Sequence, residues 1–131
     1  MSVLLPSGWA PPIGYANGIV VPAGRIVFIA GQIGWDAQGH FHTDDLVGQV
    51  RQALQNVVAV LAEAGGKPEH IARMNWYITD KRSYISALRG IGEAYREVMG
   101  AHYPAMTAVE VTALIEDRAK VEIEVTAVIP E

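Results

Sequence analysis

The 131-residue sequence predicts an α+β fold with elements in the order β-β-α-β-α-β-β. Three observations carry that prediction. Short segments at 18–21, 25–30, 71–79, 107–112 and 121–128 are rich in β-branched residues, most with apolar and polar side chains alternating at period two. Two longer segments, 43–64 and 83–99, repeat apolar residues at i, i+3 and i+4. Glycine and proline punctuate the joins between these segments. Helical crossovers between strands leave both helices on one face of a mixed sheet.

Taken in order, residues 1–17 contain Pro6, Pro11, Pro12, Gly8 and Gly14, which disfavour a helix and predict an extended arm. Trp9 and Tyr15 lie in it, either as aromatics pinning the arm or, for Tyr15, as part of a site. Segments 18–21 and 25–30 flank Pro22-Ala23-Gly24 and are expected to form a hairpin. The hairpin runs into Gly31-Gln32-Ile33-Gly34-Trp35-Asp36. Two glycines there let the backbone approach a neighbour closely, although the spacing matches no phosphate-binding glycine motif.

The helix at 43–64 starts with Thr43 or Asp44 as cap and carries Leu46, Val50, Ala53, Leu54, Val57 and Leu61 on one face. Gly65-Gly66 ends it, with Pro68 beyond. In the strand 71–79, Met74, Trp76 and Ile78 share a face opposite Arg73, Asn75 and Tyr77. Ser83 is read as the cap of the second helix, where Gly90 and Gly92 suggest close packing on a sheet or a local kink. The last two strands are expected to be joined by a short acidic-basic turn. Val121, Ile123, Val125 and Ala127 alternate with Glu122, Glu124, Thr126 and Val128.

Composition limits the function classes. One domain, 1–131, is the simplest organisation for this length. Half of the residues are apolar and the mean hydropathy is +0.18, which favours an oligomer that buries a sheet face. With no cysteine there is no disulfide, thiolate metal site or cysteine nucleophile. A formal charge of −4 with scattered Lys and Arg argues against a nucleic-acid partner. No apolar run is long enough for a membrane helix and the N-terminus lacks a secretory pattern, so a cytoplasmic location is expected. His40 and His42 share a face of an extended loop, but His70 and His102 lie apart, and no metal or other cofactor is expected.

No nucleophile elbow, P-loop or metal spacing is present. The remaining chemistry candidates are carboxylates, namely Glu110, Glu122 and Glu124, on strands that look central. Each is either part of a solvated sheet face or a carboxylate held in a cleft to position or deprotonate water.

Gly31-Gln32-Ile33, QVRQALQNVVAVLAEAG from Gln49, YITD from Tyr77, PAMTAVEV and VEIEVTAV resemble the RidA/YjgF family of enamine and imine deaminases. The likeness runs from about residue 14 to about residue 130. It implies a chorismate-mutase-like fold, a homotrimer with a central barrel and ligand clefts between subunits. Carried over by motif, Glu122 would orient the attacking water. Tyr15 and the Gly31–Ile33 turn would help to form the cleft. Met106 stands where the family motif has an arginine that grips the substrate carboxylate, a bidentate task that a thioether cannot perform. Trp35 and Met106 would then supply apolar lining, while Arg25, Arg73 and Arg118 are the cations that could stand in. Three readings follow: a divergent deaminase or hydrolase acting on a small enamine or imine, a trimer that binds a small metabolite without turnover, and a structural trimer acting through partners. Ribonuclease activity, a label some family members carry, finds little support in the acidic charge and the histidine positions.

Overall fold

The computed structural model describes residues 1–131. Its organising element is the last strand, β6 (Val121–Pro130), which lies inside a four-stranded sheet of order β3-β6-β4-β5. β3 (Gly24–Ile33) and β4 (Ile71–Ile78) flank it antiparallel, and β5 (Ala105–Glu110) adds parallel to β4 at the edge. Period-two alternation sorts the faces. Val121, Ile123, Val125 and Ala127 are buried, as are Met74, Trp76 and Ile78 from β4. Against them pack α1 (Leu46–Glu63), through Val50, Ala53, Leu54, Val57 and Leu61, and α3 (Leu88–Met99), through Ile91, Tyr95 and Met99. The mixed sheet with its helices on one face is thus as expected. On the opposite face Phe28 is 78% and Ile26 61% exposed. No helix is long and apolar enough to cross a membrane.

Several expectations are corrected. Segments 18–21 and 25–30 do not form a hairpin. β2 (Gly18–Val20) pairs with β1 (Ser2–Leu4) in a separate two-stranded sheet, so the arm contains a strand. The long apolar β3 instead takes β6 as its partner, where Ile29 joins the core. The last two strands are also not a hairpin: β4 separates them, and residues 111–120 form the connection. Glu110 therefore sits on an edge strand, where its Oε1 accepts from the Lys81 backbone N–H at 2.7 Å.

The helix boundaries shift for capping reasons. Asp45, rather than Thr43 or Asp44, caps α1, its Oδ2 accepting from Gly48 N–H at 2.9 Å while Thr43 Oγ1 accepts from Asp45 N–H. The second helix is two. Asp80, not Ser83, caps α2 (Lys81–Ser86) through bonds from Arg82 and Ser83 N–H, and the chain breaks at Ala87 before α3. Gly90 serves the helix pair rather than the sheet: a Cβ there would lie 3.0 Å from Val47 of α1.

Candidate functional site

The two glycines after β3 are close-approach residues, and they approach different things. A Cβ at Gly31 would lie 2.0 Å from Glu122 Oε2 and 2.7 Å from its Cγ, so the Glu122 side chain occupies the space over the Gly31 backbone. A Cβ at Gly34 would lie 2.6 Å from the Cβ of Gln49, so here the backbone closes onto α1. Ile33 is the strand partner of Glu122 and is buried, yet it lies outside the main core cluster. The register slips between Ile29 and Gln32. This bulge sits where the edge strand bends past the carboxylate, a common device for re-aiming a strand.

Glu122 and Glu124 share the open face of β6, two residues apart, but differ in their ties. Glu124 accepts a hydrogen bond from Asn75 Nδ2 at 3.1 Å and another, short, from the Tyr77 hydroxyl. That bond, followed by burial and by the charges of both glutamates, raises the Tyr77 pKa above the usual phenol value. Glu124 is thereby a structural acceptor. Glu122 makes no side-chain hydrogen bond within the chain. Of the two carboxylates, it is the one left free to act on water.

Tyr15 and Met106 meet elsewhere. Ala16 N–H donates to Pro104 O at 3.0 Å, and Ala16 bridges Ala105 in parallel, which stitches the arm to the head of β5. Tyr15, Ile13, Tyr84, Met106 and Ala108 then line a cleft of about 280 Å³. Met106 is the strand partner of Met74 and packs at the margin of the core, which puts it on the helix-covered side of the sheet. Glu122 lies on the other side and two strands away, about 10 Å laterally at the usual strand spacing. A single chain therefore does not bring Glu122 and Met106 to one ligand.

Trp35 joins neither group. It contacts Phe41, with ring centroids 5.9 Å apart, and lines a separate pocket with His40, Ile115 and Arg118. The three candidate cations are also accounted for. Arg25 donates to Ala64 O at the end of α1, and Arg118 bonds Asp44 at 3.0 Å while its guanidinium sits 5.3 Å from the Phe41 centroid. Arg73 is on the open face of the sheet, beside Asn75 and Glu124. None of them lines the Met106 cleft. His42 bonds Asp36 at 2.7 Å rather than pairing with His40, and the N–H groups of His40 and Gln38 also bond Asp36. These bonds, the His40 N–H first, hold the Asp36 carboxyl down at about 2. No group of three His, Asp or Glu side chains is arranged to hold a metal ion.

Two positioning residues escaped the sequence reading. Gln49 is the one fully buried polar side chain, although it lies on the apolar face of α1. Its Nε2 donates to Thr43 O and Arg118 O, and its Oε1 accepts from Lys120 N–H at 2.8 Å. It locks the connection before β6 to the start of α1, and so fixes where Glu122 begins. Asn56 Nδ2 donates to Ile33 O and Trp35 O and holds the Gly31–Gly34 turn. A glutamine between Leu46 and Val50 on an apolar stripe was the available signal, because a buried amide requires partners.

Known proteins are similar to this chain in sequence and fold. The family profile described as Endoribonuclease L-PSP matches residues 9–129. A RutC family protein of Pyrococcus horikoshii is 36% identical over 118 residues, covering 88% of each chain. The 2-iminobutanoate/2-iminopropanoate deaminase of Salmonella typhimurium is 33% identical over 108 residues, covering 82% of this chain and 83% of the relative. Among solved structures, the Rid family protein YyfB from Yersinia pestis superposes with a TM-score of 0.86 at 30% identity over 97% of both chains. Escherichia coli TdcF with bound serine superposes with a TM-score of 0.67 at 30% identity over 98% of both. With the profile spanning nearly the whole chain and relatives above 30% identity along most of their length, the chain belongs to the endoribonuclease L-PSP family, the RidA/YjgF proteins.

Proposed function

We propose that this protein is a divergent imine or enamine deaminase, a hydrolase that works in a cleft between copies of the chain in a homotrimer. The observation that carries the reading is the unbonded Glu122 carboxylate seated on the Gly31 backbone. Water adds to the imine carbon, with Glu122 accepting its proton. That proton passes to nitrogen to give a carbinolamine. Its hydroxyl proton then moves to nitrogen by way of the same carboxylate as the C–N bond breaks, and ammonia and a carbonyl compound leave. Because Glu122 and Met106 occupy opposite faces of one sheet, a ligand that touches both requires the β5 edge of a second copy. The exposed Phe28 and Ile26 on the open face favour such an assembly, since monomers rarely leave a contiguous apolar patch uncovered.

Support also comes from the relatives, one of which is a 2-iminobutanoate/2-iminopropanoate deaminase and another a TdcF structure holding serine. The test is ammonia release from imines generated in situ by an amino-acid oxidase, measured for the wild type and for Glu122→Gln. We expect a loss of about a hundredfold or more in the variant, the usual scale for a general base, with the oligomer intact. Full turnover by Glu122→Gln would remove this carboxylate from the mechanism. A second reading, a trimer that binds a small metabolite without turnover, is favoured by Met106, because the cleft offers no charged grip to orient a substrate. Saturable binding heat with no ammonia release would select it.

A further inference from the structure

The Tyr15 cleft carries an inference of its own. All five lining residues, Ile13, Tyr15, Tyr84, Met106 and Ala108, are apolar or aromatic. A free carboxylate entering it would lose hydration without gaining a cation from this wall, a cost that grows with burial. The cleft does hold a neutral donor. The phenol of Tyr84 is pushed up by burial, so it stays protonated and able to donate. Behind this wall lies Trp76, the strand partner of Ala108, whose ring meets Tyr84 edge-on at 6.5 Å between centroids and backs the cleft without lining it. Size points the same way. About 150 Å³ of apolar cavity holds a benzene ring, so about 280 Å³ admits a ring with a short substituent. The Met106 thioether is suited to the ring edge, because sulfur–aromatic contacts are favourable.

We propose that this cleft binds an uncharged, ring-bearing ligand with a neutral carbonyl or amide acceptor, in preference to a free carboxylate. The inference names the substrate class of the deaminase reading and rests on it only in placing the cleft at the substrate. Ligand choice here is a difference of affinities. The apolar wall favours the ring and its lack of charge disfavours the anion.

The test uses the full chain with methyl-labelled methionine, titrated separately with phenylacetamide, phenylacetate and 2-oxobutanoate. We expect phenylacetamide to shift the Met106 methyl signal and to bind at least about tenfold more tightly than either acid, the scale set by leaving one charge unpaired. Ile13→Arg adds a cation at a position that is 92% exposed, so folding is not at stake, and it should narrow the preference. Met106→Arg should reverse it from inside the cleft. The proposal is overturned if either acid binds the wild type as tightly as the amide, or if the amide leaves the Met106 signal unmoved at millimolar concentration. Binding is read without turnover, which separates the two failures. A protein that releases no ammonia yet prefers the amide keeps this inference and loses the catalytic reading; one that deaminates yet prefers acids does the reverse.

Discussion

The open face of β6 and the helix-side edge at β5 divide the work of one candidate site in different ways. Around Glu122 the fit is partly to backbone: its side chain fills the Cβ position of Gly31, its strand partners are Ile33 and Tyr77, and its own strand is central and paired on both sides. Around Met106 the walls are side chains on an edge strand, an arm and a six-residue helix. A wall of side chains can change its ligand by changing a residue, whereas a carboxylate packed on a glycine backbone limits what position 31 can carry.

Further substitutions separate the two regions, beginning with the connection that leads into β6. Gln49→Leu removes the amide that holds the 111–120 connection and leaves Thr43 O, Arg118 O and Lys120 N–H without it. We expect a loss of about 1–3 kcal/mol in chemical denaturation, since three part-buried backbone groups lose their partner and are only partly rehydrated. A loss below about 1 kcal/mol would mean that the connection is held by other contacts.

Gly31→Ala drives a methyl into the Glu122 carboxylate. The carboxylate ends a flexible side chain, so it swings aside at a cost of about 1 kcal/mol or less, and ammonia release falls as it leaves Gly31. An active Gly31→Ala protein would show that the carboxylate works from another rotamer. Tyr77→Phe and Glu124→Gln cut the neighbouring network, and ammonia release should fall far less than in Glu122→Gln. Equal losses would merge the two glutamates into one functional pair.

The smallest effect is a pH response at the far loop. The Asp36 carboxyl is held down to about 2 by backbone and His42 bonds, so its contribution to the 36–42 loop is complete above the ordinary carboxylate range. It is lost as pH falls from about 4 through about 2. Amide shifts of Gln38 and His40 should follow that transition. Loss of the loop at higher pH would show that the Asp36 bonds are weak.

The elements themselves were legible because their signals are local. The apolar stripe of α1, the alternation of β4 and β6 and the close-approach glycines of the Gly31–Gly34 turn can be read from neighbours along the chain. The partners of those elements were not. Whether β2 takes β3 or the arm, and whether β6 lies beside β5 or between β3 and β4, depends on which faces must be buried together, and two strands with identical periodicity satisfy either pairing locally.

The same division applies to the site. Residue chemistry alone left Glu110, Glu122 and Glu124 as equal candidates, and it was the family resemblance that singled out Glu122, Tyr15, Met106 and the Gly31–Ile33 turn. Only tertiary structure gave Glu124 its Tyr77 and Asn75 bonds and left Glu122 on Gly31. Only it sent Trp35 to a different pocket and put Met106 on the opposite face of the sheet. The physical reason is that side-chain type and spacing are properties of the chain, whereas the face a strand presents and the partner a carboxylate finds are fixed by packing between segments tens of residues apart.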